Sequence, residues 1–160
     1  MSFERESLRH AVAVLSYRAA KAMRCAPASF AEFRPGPTSN RPLDIVAHMG
    51  DLFDWALRTA QGDFRWTTAS PTAWDAECAR FFDALRAFDV YLASGQPIAL
   101  DLGRLFQGPV ADALTHTGQV AMLRRLHGAP IKGENYSRAD IAVGRLGFEQ
   151  TPADPKHEFD

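Results

Sequence analysis

Residues 111–128 read ADALTHTGQVAMLRRLHG. Taken as a helix, they carry an apolar stripe that steps back from Leu126 to Leu123. The next steps of four and three land on Gln119, His116 and Asp112, so the stripe turns polar halfway along. Asp112 and His116 are i and i+4, which puts them on one helix face with Cβ atoms about 5–6 Å apart. The helical period of this segment recurs in three others, and that recurrence decides the fold.

The first of the three runs from about Phe3 to Cys25, where Leu8, Val12, Leu15, Ala19 and Ala22 follow at steps of four and three. The second runs from about Pro42 to Gln61, with the seam Ile45, His48, Leu52, Trp55. Asn40 or Ser39 can cap it, Pro42 suits its first turn and Gly62 stops it. The third, from about Thr72 to Ala93, has the cleanest seam: Trp74, Cys78, Phe81, Leu85, Phe88, Leu92. Thr72 is its candidate cap. The opening segment extends to Leu102–Leu126, with Gly108-Pro109 as a candidate break and Gly128 and Pro130 as stops. Residues 27–42 (PASFAEFRPGPTSNRP) and 62–73 (GDFRWTTASPTA) read as connections. Beyond Lys132 the periodicity fades, and NYSRADIAVGRLGF (135–148) reads as a short extended segment lying over the helices. Residues from about 150 to 160 read as a loose polar tail. Four amphipathic helices without a strand pair predict an all-α four-helix bundle, one domain over 1–160 with a short irregular C-terminal segment.

At 160 residues, 46% hydrophobic and 23% charged, the chain can bury a core without staples. A net charge of −1 and the lack of any basic block argue against nucleic acid or an anionic membrane as partner. The start, MSFERESLRH, holds no apolar run of signal-peptide length, and no segment approaches the ~18 apolar residues of a membrane span. The expected location is the cytoplasm. Arg outnumbers Lys 15 to 3, the bias of a GC-rich bacterial genome. Cys25 and Cys78 stand in unrelated contexts with no C-x-x-C, and read as reduced core-type thiols.

Two of the four seams carry ionisable groups where apolar ones are expected: His48 in the second helix, and Asp112, His116 and Gln119 in the fourth. Burying an unpaired carboxylate costs several kcal/mol, so Asp112 needs a partner, and a metal is a good one. His48 lies near the middle of its helix, as do Asp112 and His116 of theirs. The three therefore meet at one level whether the helices run parallel or antiparallel. Two imidazoles and one carboxylate leave coordination positions open, as catalytic metal sites do. Two metal-free readings use the same residues. Asp112 can pair with His116 alone, or it can stand near a helix start at Pro109, favoured by the helix dipole. Asp51, three residues after His48, is a candidate to orient His48, a fourth ligand, or a solvated surface acid. Gln119 is a candidate to hydrogen-bond substrate or water at the metal, or a plain interhelical contact. His10, His127 and His157 read as surface residues. No Ser/His/Asp arrangement, phosphate-binding Gly-rich loop or nucleophilic Cys motif occurs.

The stretches RPLDIVAHMGDLFDWALRTAQG (41–62) and DALTHTGQVAMLRRLHGAPIKGENY (112–136) resemble the DinB/YfiT-like superfamily of metal-binding four-helix bundles. In that family a His early in helix two and an H-x-x-x-H pair on helix four bind a divalent metal, and Gly-Gln follows the pair, as in THTGQ here. The resemblance assigns the family's first His to His48 and its last to His116. The middle His falls on Asp112, which makes a harder, more anionic site than three imidazoles. It implies Zn, Ni, Fe or Mn as the ion, an up-down-down-up helix order and frequent homodimers. It also implies a small-molecule substrate and thiol-dependent transferase or isomerase chemistry with glutathione, mycothiol or bacillithiol. A non-catalytic dimerising or ligand-binding bundle that has lost the metal chemistry is the competing expectation.

Overall fold

The computed structural model describes residues 2–160. Helix α1 (Phe3–Met23) begins at Ser2, whose hydroxyl accepts the Arg5 N–H, and ends just before Cys25, which takes a left-handed φ of 52°. Cys25 is exposed there, so it is not the core thiol expected of it; Cys78 is buried. Helix α2 (Pro42–Ala60) has Pro42 in its first turn as expected, but Arg41 rather than Asn40 or Ser39 at its cap. Arg41 holds Asp44 through both its backbone N–H (3.4 Å) and its guanidinium (2.5 and 2.9 Å). Helix α3 (Trp74–Ala93) follows Ala73. Thr72 contributes its backbone N–H to Glu77 (3.2 Å) instead of a capping hydroxyl.

The fourth rod comprises α4 (Leu102–Leu105), one wide π-turn (Phe106–Val110) and α5 (Ala111–Leu126). Pro109 has no N–H and its ring clashes with an i−4 carbonyl in an α-helix. The backbone therefore widens through Gly108-Pro109 instead of breaking, and Asp112 follows directly after the wide turn.

Cross-links between the helices set their directions. Arg5 and Arg9 near the start of α1 reach the Leu92 carbonyl and Asp89 near the end of α3, so α1 and α3 are antiparallel. Arg124 near the end of α5 donates to the Ala22 and Arg24 carbonyls at the end of α1, so those two run together. Along α2 and α3 the early pair Ala47–Arg80 and the later ring pair Phe53–Phe88 advance in step. The Ala99 N–H, beyond α3, then closes on the Ala60 carbonyl. The order is up-down-down-up, with 62–73 as the crossover between the parallel helices α2 and α3.

The core centre is one position away from the expected seams on two helices. On α2 the fully buried stripe is Val46, Met49, Phe53, Ala56, Ala60. On α5 the buried stripe is Ala113, Thr117, Val120, Arg124, while Leu126 is 56% exposed. The stripes through His48 and through Asp112–His116–Gln119 run along the edges of those core faces. On α3 the expected seam is the core: Phe81, Leu85, Phe88 and Leu92 have no exposed surface.

After α5 the chain crosses back over α1. Residues Gly133–Glu134 (β1) and Glu158–Phe159 (β2) form a short antiparallel pair that the sequence pattern does not signal. Buried Glu134 accepts from the Tyr17 hydroxyl (2.6 Å) and pairs with Lys21 (2.8 Å), which also holds Glu158 (2.8 Å). No helix among the described residues is long and apolar enough to cross a membrane.

Candidate metal centre

His48 and the pair Asp112–His116 come from helices that run in opposite directions and pack along one edge. Each histidine has Nε2 turned to the carboxylate: His48 Nε2 lies 3.6 Å from Asp112 Oδ2, and His116 Nε2 lies 3.5 Å from Asp112 Oδ1. The two imidazole rings are 4.9 Å apart and nearly perpendicular. One ligand atom from each residue falls within 4.8 Å of the others, so the group can hold a metal ion.

The donor set fits such an ion. Ligands at about 2.0–2.2 Å around a tetrahedral centre stand roughly 3.3–3.6 Å from one another. The two histidine–carboxylate separations are of that size, each to a different oxygen of Asp112. Gln119 supplies a further condition. Its Oε1 lies 2.8 Å from His116 Nδ1. An amide oxygen only accepts, so Nδ1 is the donor in this contact and Nε2 is the ring nitrogen turned to Asp112. The contact lies within one turn of α5, so Gln119 is not the interhelical contact expected of it.

The side chains of His48 and Asp112 are 39% and 46% exposed, and that of His116 is 18% exposed. The carboxylate therefore lies at the surface along the edge where α2 meets α5, not in the core. The burial cost that would force a partner on it is absent, and the geometry carries the argument alone.

Asp51 neither ligates nor orients His48. It points away, into a buried cluster with Arg80 (2.9 Å), and accepts the Ala69 N–H (3.3 Å). Arg80 also holds Glu77 (2.9 Å) and Asp54 (3.1 Å), and donates to the Ala47 carbonyl. Burial alone would lower the Arg80 pKa, yet the bond to Glu77 and the charge of Asp51 outweigh it and leave it raised. A Cβ on Gly50 would stand 2.7 Å from the Arg80 guanidinium carbon, so glycine is what lets the side chain pass. The cluster binds the 62–73 crossover at both Ala69 and Thr72. Trp66, on that crossover, packs 5.7 Å from the His48 ring and forms one wall of the site.

Trp66 and Arg80 escaped the sequence reading. The signal for Trp66 lies in the connection itself, where Phe64 and Trp66 are heavier than a solvent loop needs; nothing in the local sequence marks Arg80. Of the expected surface histidines, His127 is half-buried, with its ring 5.6 and 5.1 Å from those of Phe30 and Phe33.

Compared with family models, with curated proteins and with solved structures, the chain matches none of them.

Proposed function

We propose that this chain is a divalent-metal protein of the DinB/YfiT-like kind, with His48, Asp112 and His116 as ligands, and that it acts on a small-molecule substrate with a low-molecular-weight thiol. The carrying observation is the convergence of two Nε2 atoms on one carboxylate at 3.5 and 3.6 Å. The up-down-down-up order and the THTGQ motif support the same reading.

When bound, Zn, Ni, Fe or Mn at these ligands would supply Lewis acidity and favour the thiolate form of a coordinated thiol. The chain's own contributions are separate from that. Gln119 holds the His116 tautomer, and Trp66 narrows the approach beside His48. Asp51, Arg80 and Glu77 fix the crossover that carries Trp66. No side chain near the triad is assigned as a separate general base.

Elemental analysis of protein purified without chelators tests the ligand set. Transfer of glutathione, mycothiol and bacillithiol to an electrophile such as monochlorobimane tests the chemistry. We expect one ion per chain and turnover with one of the thiols, both lost in His116→Ala. Metal binding without turnover would leave the ligands and remove the transferase. One observation favours a second reading, a metal-free ligand-binding or dimerising bundle: Asp112 already stands within 3.6 Å of both imidazoles and can bridge them unaided. Absence of any retained or titratable metal would establish that reading instead.

A further inference from the structure

The opposite face of α5 borders a cleft against α1. Val14, Arg18 and Ala22 line one side, and Leu114, Gly118 and Ala121 the other. Ile131 and Tyr136, from the returning chain, close the end. The cleft has a volume of about 360 Å³, within the ~300–1,000 Å³ range of small-molecule sites. It is separate from the triad, since positions 114, 118 and 121 project from the other side of α5 than 112, 116 and 119.

Arg18 is the anomaly in it. Its guanidinium lies over the Tyr136 ring, 3.8 Å from the ring centre. Tyr136 in turn meets Tyr17 edge-on at 6.3 Å. The head group is thus held in place by stacking. Its Nε is buried and has no hydrogen-bond partner among the described residues. Glu134, two residues before Tyr136, is occupied by Tyr17 and Lys21. A buried donor on a fixed cation costs free energy until an acceptor reaches it. A planar guanidinium with a free Nε–H presents the fork that a carboxylate matches. The remaining lining is aliphatic or small apart from Thr117, whose hydroxyl already donates to the Ala113 carbonyl, and this suits an apolar body.

We propose that this cleft binds a small monocarboxylate with an apolar body, its carboxylate received by Arg18 and its body lying along Leu114, Gly118 and Ala121. The proposal is independent of the metal reading. A built Cβ at Gly118 finds nothing within 4 Å, so a larger side chain there enters the cleft without a clash. Gly118→Leu therefore fills the site, and Arg18→Met removes the charge while keeping most of the stem.

The test is an NMR titration of the full chain with hexanoate, with hexanamide as the uncharged control. We expect saturable shifts at the amides of Leu114, Gly118 and Ala121 and at the Arg18 Nε–H. Hexanamide and the Arg18→Met variant should each bind at least about tenfold more weakly. Gly118→Leu should show no binding. The wild-type shift map stands whether or not either variant folds. Three outcomes would overturn the proposal: no saturable shift on the order of ten millimolar hexanoate, shifts confined to the residues around His48 and His116, or equal affinity for hexanamide.

Discussion

Asp112 carries more of the account than any other residue. Its carboxylate lies within 3.6 Å of both histidines, and it departs from the three-imidazole pattern of the resembled family. Asp112→His keeps the i, i+4 geometry and removes one negative charge. If Asp112 is a ligand, the change should shift preference towards Zn and Ni over Mn, read as relative affinities in competition titrations. If it only bridges the histidines, selectivity stays the same and the metal-free melting temperature falls, because three imidazoles then stand together without their carboxylate. The two cysteines make a second residue-scale case. Burial, with the charges of Asp75 and Glu77, pushes the Cys78 thiol up to about 12, while Cys25 is exposed. Ellman's reagent at neutral pH should titrate Cys25 in the native protein and both thiols only after unfolding. Linkage gives the sign of the pH effect. The unfolded Cys78 thiol ionises from its ordinary value of 9.0 and the folded one from about 12. Its contribution to stability is therefore complete below pH 9.0 and is lost as pH rises towards 12. Tyr17, raised by burial and its bond to Glu134, acts in the same direction. Melting temperatures should decline above pH 9.0, and Cys78→Ala should flatten that decline.

Each helix was legible from its period, and the position of its core face was not always so. On α3 the expected seam is the core, and Phe81→Ala should cost about 3–5 kcal/mol in a denaturant melt. A loss under about 1 kcal/mol would contradict its fully buried placement. On α2 and α5 the expected seams lie one residue to the side of the true core stripe. The reason is physical: Ala47, Ala56, Ala113 and Thr117 are too small or too polar to advertise burial, whereas Leu126 is apolar and exposed. The shared face of Asp112 and His116 was nevertheless legible, because i, i+4 holds on any face. Asp51 was misread because its partner, Arg80, is 29 residues away on α3. Only the parallel packing of α2 and α3 brings the two together. That partnership makes its own prediction. Asp51→Asn should leave the helices folded but free the crossover. Amide exchange at Ala69 should quicken, and Trp66 fluorescence should shift as its packing on His48 loosens. Unchanged exchange at Ala69 would mean that Asp51 does not hold the loop.

At the scale of the molecule, the helix order explains why a site forms at one edge. The parallel pair α2–α3 requires a long crossover, and the crossover delivers Trp66 to the rim where α2 meets α5. The π-turn before α5 lets Pro109 stay within a continuous rod, and Asp112 emerges directly after it. The other face of α5 meets α1, where Tyr17 and Lys21 draw the returning chain down through Glu134 and Glu158. That clasp places Tyr136 under Arg18. One helix thus borders two features of different chemistry, a donor triad on the α2 side and a stacked cation on the α1 side. The central claim is that the triad is a metal site. A zinc competition titration against a chromophoric chelator, run on the wild type and on His48→Ala, Asp112→Ala and His116→Ala, tests it most directly. The account predicts one zinc per wild-type chain at micromolar affinity or better, and at least about tenfold weaker binding in every variant. No binding by the wild type, or equal binding by all four proteins, would contradict it.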